Sequence, residues 1–136
     1  MLNTTTCSSQ VTVGGKPLRT TATLKLPMYS CRVVLVIAEH VAAEATKLIK
    51  KHKLEMEFEG DAEGTVITPD IDLYYLVIGS KYITHNTLSH ELYHVVKAVL
   101  RDRGIGDEEA GAWLMGHLTE FVYKTLDKKK YQVKHG

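Results

Sequence analysis

The order of hydrophobic patterns along the chain predicts an α+β fold: a mixed or antiparallel sheet packed against one helix, followed by two further helices. Three observations carry this. Short alternating or β-branched runs fill Gln10 to Ile37, and two more follow at "TVIT" and "LYYLVIG". Between these groups "AEHVAAEATKLIKKH" has helical spacing. From Asn86 onward, two long segments return an apolar residue every three or four positions.

Taken in order, "QVTVGGKPLRTTATLKL" alternates around Gly14-Gly15 and predicts a β-hairpin over about residues 10–27. "CRVVLVI" is continuously apolar after its arginine, the pattern of a strand buried on both faces. In the helix of residues 38–52, Val41, Ala45, Leu48 and His52 share the inner side, and Glu44, Lys47 and Lys51 are expected to point away. The acidic stretch "EMEFEGDAEG" leads back to the last two strands. The next helix is expected from Asn86 or Thr87 to about Arg103, with Gly104 as its stop. Asp107 caps the final helix, read to about Leu126 with a core stripe of Ala110, Leu114, Leu118 and Phe121. "DKKKYQVKHG" reads as a basic, solvated tail. No repeat or linker divides the 136 residues, so a single domain is expected.

Composition narrows the function classes. A net charge of +1 gives no reason to expect nucleic acid or an anionic membrane as partner. "VVLVIA", the longest apolar run, is far short of a membrane span. "MLNTTTCSSQ" lacks the basic and apolar regions of a secretory signal, and Cys7 and Cys31 have no neighbours at metal-ligand spacing, so reduced thiols in a cytoplasmic protein are expected.

The chemistry lies in "TLSHELYHVV". His90 and His94 are one helical turn apart and project from one side; Glu91 is offset by about 100°. This is the HExxH arrangement, in which two neutral imidazoles grip Zn²⁺ and the adjacent carboxylate acts as general base on the metal-bound water. Leu92, Val95, Val96 and Val99 form an apolar stripe roughly opposite, so the helix can be anchored on one face and present the other to a cleft. The plain alternative is two exposed or hydrogen-bonded histidines on an ordinary helix. A catalytic zinc takes three protein ligands plus water. Downstream, "GDEEAGAW" offers Glu108 and Glu109, which taken separately would be helix-dipole partners.

"HELYH" followed by a helix opening "EEAGAW" resembles the gluzincin metallopeptidases, over about residues 74–123, and the compact metallopeptidase-like proteins of phages and mobile elements. The resemblance implies a small zincin-like domain whose third zinc ligand is a glutamate on a later helix, followed at once by a small residue. Glu109-Ala110-Gly111-Ala112 fits that pattern better than Glu108-Glu109. Some gluzincins carry an aspartate four residues after that ligand, to orient a zinc histidine; here the position is Trp113, leaving Glu120 either as an alternative partner or as a solvated surface charge. The oxyanion donor would be His117 or Tyr93, although His117 also falls in an apolar stripe and reads as a core histidine, and Tyr93 reads as packing. His85 could cap the histidine helix or line the cleft. An edge strand beside the zinc commonly binds the substrate backbone in such enzymes, which makes "DLYYLVIGSKY" the expected edge, with Tyr74, Tyr75 and Tyr82 lining the cleft or packing over the sheet.

The expectation is therefore a zinc-dependent peptide hydrolase: His90, His94 and Glu109 as ligands, Glu91 as base, a peptide or protein as substrate. The alternative is a catalytically inactive zinc-binding accessory or interaction module on the same scaffold. A chain of this size has little room for a second domain to wall the cleft, so the site is expected to be open or completed by a partner protein.

Overall fold

The computed structural model describes residues 5–9, 12–13, 16–17, 19–58, 60 and 62–135, with side chains from Arg19 onward. The elements run β1 (Thr5–Ser9), β2 (Thr12–Val13), β3 (Lys16–Pro17), β4 (Arg19–Leu26), a 3-10 turn (Pro27–Tyr29), β5 (Cys31–Ala38), α1 (Val41–Lys51), β6 (Gly64–Asp70), β7 (Leu73–Gly79), α2 (His85–Asp102) and α3 (Glu108–Lys128). The α+β expectation holds, and the sheet is mixed: the order is β1-β4-β5-β7-β6, with β5 and β7 parallel and the other neighbours antiparallel.

The two-residue strands β2 and β3 pair across the expected turn; Gly14 and Gly15 themselves lie outside the described residues. β1 was not expected. "TTCSS" has no apolar alternation, and it becomes a strand by pairing with β4, Thr5 opposite Leu24 through Ser9 opposite Thr20. β4 then follows the period-2 rule, burying Ala22, Leu24 and Leu26 on one side.

The sheet separates two cores. On one face β4, β5 and β7 contribute Leu24, Leu35, Tyr74, Leu76 and Ile78, against Leu88, Leu92, Val95 and Val99 of α2 and Leu114, Leu118 and Val122 of α3. On the other, Val36, Tyr75 and Val77 meet Val41, Ala45 and Leu48 of α1. Each buried leucine or valine on these faces contributes roughly 1.5–3 kcal/mol over leaving it in water. β7 is buried at all seven positions, because it sits between two strands and under helices on both sides. The expectation that it forms the edge is thereby corrected: β6 is the edge strand, and Tyr74 and Tyr75 are core residues on opposite faces.

Two further expectations change. Glu44 does not point to solvent; it is buried on α1, with Arg19 Nη2 2.7 Å and Nε 2.9 Å from its Oε1. The tail is not free: Lys134 N donates to Ile83 O and His85 N to Lys134 O, while the Tyr131 hydroxyl lies 2.9 Å from the buried Thr20 Oγ1. Its aromatic and aliphatic residues, Tyr131 and Val133, pack on the core, so the basic composition misrepresents it. Among the described residues, no helix is long and apolar enough to cross a membrane.

Candidate metal centre

α2 is defined at both ends. Thr84 caps it, its Oγ1 accepting from Thr87 N at 3.1 Å. At the other end Gly104, with φ of 65°, lets Ile105 N donate to Leu100 O and Gly104 N to Arg101 O, closing the helix where the sequence placed its stop. The stripe Leu88, Leu92, Val95 and Val99 is fully buried, which forces His90 and His94 to the outer side.

There the imidazoles meet. Their Nε2 atoms are 3.3 Å apart and their rings nearly perpendicular. Two nitrogens bound at about 2.0–2.1 Å by one tetrahedral ion lie roughly 3.3 Å from each other, so the separation of this pair matches that of two imidazoles sharing one ion. The same distance suits an Nε2–H···Nε2 hydrogen bond, with one ring carrying the proton; ion and proton are alternative occupants.

Glu91 points from α2 toward the start of β6. It is 7% exposed although both histidines are exposed, and its Oε2 lies 3.8 Å from His90 Nε2. No hydrogen-bond donor among the described residues holds it. Burial raises its carboxyl above the ordinary range, and the two histidines pull it partly back. A buried, weakly solvated carboxylate next to two imidazoles is a competent proton acceptor. Among the described residues, His90, Glu91 and His94 form the one group of three metal-capable side chains whose ligand atoms all lie within 4.8 Å of one another.

The structure does not bring Glu109 into that group. It stands exposed on the first turn of α3, whose N-terminus lies beside the far end of α2. Glu108 borders a groove between the two helices, with Lys97 and Arg101 rather than the histidines for neighbours. Tyr93 rims that groove, 56% exposed, with Lys97 Nζ 6.0 Å from its ring centre, and so does not pack in the core. His117 is stacked on the exposed Trp113 and half-buried, not a core histidine. Glu120 is a surface charge, paired with Lys124, which holds its carboxyl below the usual range. His85 opens α2 and places Nδ1 2.7 Å from the Tyr123 hydroxyl, leaving the cap to Thr84. Tyr82 is exposed just beyond β7.

Sequence reasoning missed the wall that faces Glu91. A cleft of ≈ 260 Å³ is lined by Glu63, Gly64, Asn86, Thr87, His90 and Glu91. Glu63 Oε2 accepts from Thr87 Oγ1 at 2.9 Å, which ties the edge strand to the first turn of α2. Gly64 permits the approach: a Cβ there would lie 2.9 Å from Glu91 Cγ. The available signals were the lone glycine before "TVIT" and the asparagine one turn ahead of His90. No family model, curated protein or solved structure matches this chain.

Proposed function

We propose that the protein is a zinc-dependent hydrolase acting on peptide bonds, on a zincin-like scaffold of gluzincin type. The observation that supports it most is the 3.3 Å separation of the His90 and His94 Nε2 atoms beside the buried, unheld carboxylate of Glu91. When bound, the ion would supply Lewis acidity, making a coordinated water acidic near neutral pH and polarising the scissile carbonyl.

The residues of the chain then have distinct tasks. His90 and His94 hold the ion. Glu91 accepts the proton of the attacking water and returns it to the leaving amine, a task suited by burial that raises its proton affinity. β6 is the outermost strand of the sheet on its side among the described residues and packs beside α2, so that an extended peptide can add along it as a further strand. Glu109 as third ligand would need the opening turn of α3 to move toward the imidazoles; Glu109→Gln tests this apart from the rest. The exposed Tyr93 on the α2/α3 groove favours a second reading, an inactive zinc-binding interaction module.

Glu91→Gln separates the two readings. Cleavage of a defined peptide mixture, followed by mass spectrometry, is expected to fall at least about 100-fold while bound zinc is retained. An unchanged cleavage rate, or no cleavage by the wild-type chain with zinc in place, would overturn the hydrolase reading.

A further inference from the structure

The cleft beside the histidine pair has a chemical bias that the hydrolase reading leaves unused. Its six lining residues include two carboxylates, Glu63 and Glu91, and no lysine or arginine. Glu91 is more than nine-tenths buried, faces the cleft and lacks a hydrogen-bond partner among the described residues. Glu63 lies on the opposite wall. Its single partner among the described residues is the Thr87 hydroxyl, itself positioned by Thr84, and no lysine or arginine among the described residues forms an ion pair with it. A carboxylate held by one hydroxyl retains free lone pairs on both oxygens.

From this we infer that Glu63 is a specificity residue: it receives a lysine or arginine side chain of the substrate, next to the bond presented to His90, His94 and Glu91. The inference rests on the hydrolase reading for what happens to the bound peptide, and on the cleft alone for which peptide is bound. Glu63 immediately precedes β6, so a peptide strand laid along that outermost strand passes Glu63 as it reaches the cleft. A neutral side chain there would leave Glu63 without a counter-charge, and an acidic one would be repelled. Because Glu63 is exposed, the gain is that of a charge-assisted hydrogen bond reduced by solvent screening, about tenfold in affinity.

The test is binding, in the Glu91→Gln chain so that no probe is consumed. Acetylated and amidated alanine pentapeptides with lysine, norleucine or glutamate at the centre are titrated by NMR, with and without zinc. The lysine peptide is expected to bind about tenfold more tightly than the norleucine peptide. Adding Glu63→Gln should make the two equal with bound zinc unchanged, and Glu63→Lys should shift the preference to the glutamate peptide. Equal binding of all three probes, or a lysine preference that survives Glu63→Gln, overturns the assignment. A lysine preference in a chain that holds no zinc upholds the cleft assignment and removes the hydrolase. Zinc-dependent cleavage of the same peptides by the wild-type chain, indifferent to the central residue, does the reverse.

Discussion

Gly64 is where the edge strand comes closest to the candidate centre, and replacing it with alanine gives a worked prediction. The added Cβ would lie 2.9 Å from Glu91 Cγ, 3.0 Å from Ile78 Cδ1 and 3.0 Å from the Val77 carbonyl oxygen. All three are well inside the roughly 3.5–4.0 Å of a comfortable carbon contact. The carbonyl belongs to β7, which is paired on both sides and cannot give way cheaply. Either β6 lifts from α2 or Glu91 turns out of its place. Overpacking by one carbon costs about 1–3 kcal/mol, and the reduced freedom of the unfolded chain returns about 0.4–1 kcal/mol, leaving roughly 1–2 kcal/mol of destabilisation. With an unfolding entropy of about 2.1 cal/mol/K per residue, a chain of 136 residues loses roughly 3.5 °C of Tm per kcal/mol, so the drop is about 4–7 °C. Gly116 is the control: it lies within α3 and a Cβ there meets nothing within 4 Å. Gly116→Ala is expected to stabilise by about 0.5–1 kcal/mol, raising Tm by about 2–4 °C. Thermal unfolding followed by circular dichroism measures both. A Gly64→Ala chain that melts at or above the wild type would refute the packing argument.

Two further predictions concern the network that locks α2 to the sheet. The Arg103 guanidinium donates to Tyr29 O, Tyr74 Oη, Val99 O and Ile71 O, so Arg103→Met removes four bonds and is expected to cost about 2–4 kcal/mol in urea unfolding. A loss under about 0.5 kcal/mol would mean that solvent replaces them. Tyr74 is pushed up to about 12 by burial and by donating to Asp102, against the opposing Arg103. The folded phenol keeps its proton above the unfolded value of about 10, so its contribution is complete below pH 10 and is lost as pH rises toward 12. Burial also raises Tyr75 and Tyr123, so phenolate absorbance should show late-titrating tyrosines in the wild type and one fewer, the last to titrate, in Tyr74→Phe; identical late titration in the two chains would contradict this.

How much the sequence disclosed depends on where the determining contact lies. Local signals located most of the histidine helix: its stripe through Val99 and its stop at Gly104 lie within one chain segment. The sequence places its start at Asn86 or Thr87 with His85 as a possible cap, whereas the helix begins at His85 and Thr84 caps it. Asp107 did the same for α3, accepting from Ala110 N. The placement of β7 was readable too, since seven consecutive apolar residues describe a central strand; the resemblance to enzymes with an edge strand beside the ion drew the expectation away from it. Other features are set by distant partners. β1 is polar and exists through β4, Glu44 is buried because Arg19 reaches it, and the tail is held by Thr20 and Ile83. In the site, helical spacing placed His90, Glu91 and His94 together, whereas the cleft wall of Glu63 and Gly64 arises from how β6 packs on α2. How α3 docks on α2 is likewise a packing outcome, and it left Glu109 outside the group of His90, Glu91 and His94.

Zinc binding by the purified 136-residue chain tests the central claim most directly. Metal content is measured by elemental analysis after dialysis against zinc, and affinity by competition with a chromophoric chelator, for the wild type and His94→Ala. One zinc per chain is predicted for the wild type, with affinity at least about 100-fold weaker once one imidazole is gone. A wild-type chain with no zinc above the level of the buffer, or one whose affinity is indifferent to the loss of His94, would contradict the account.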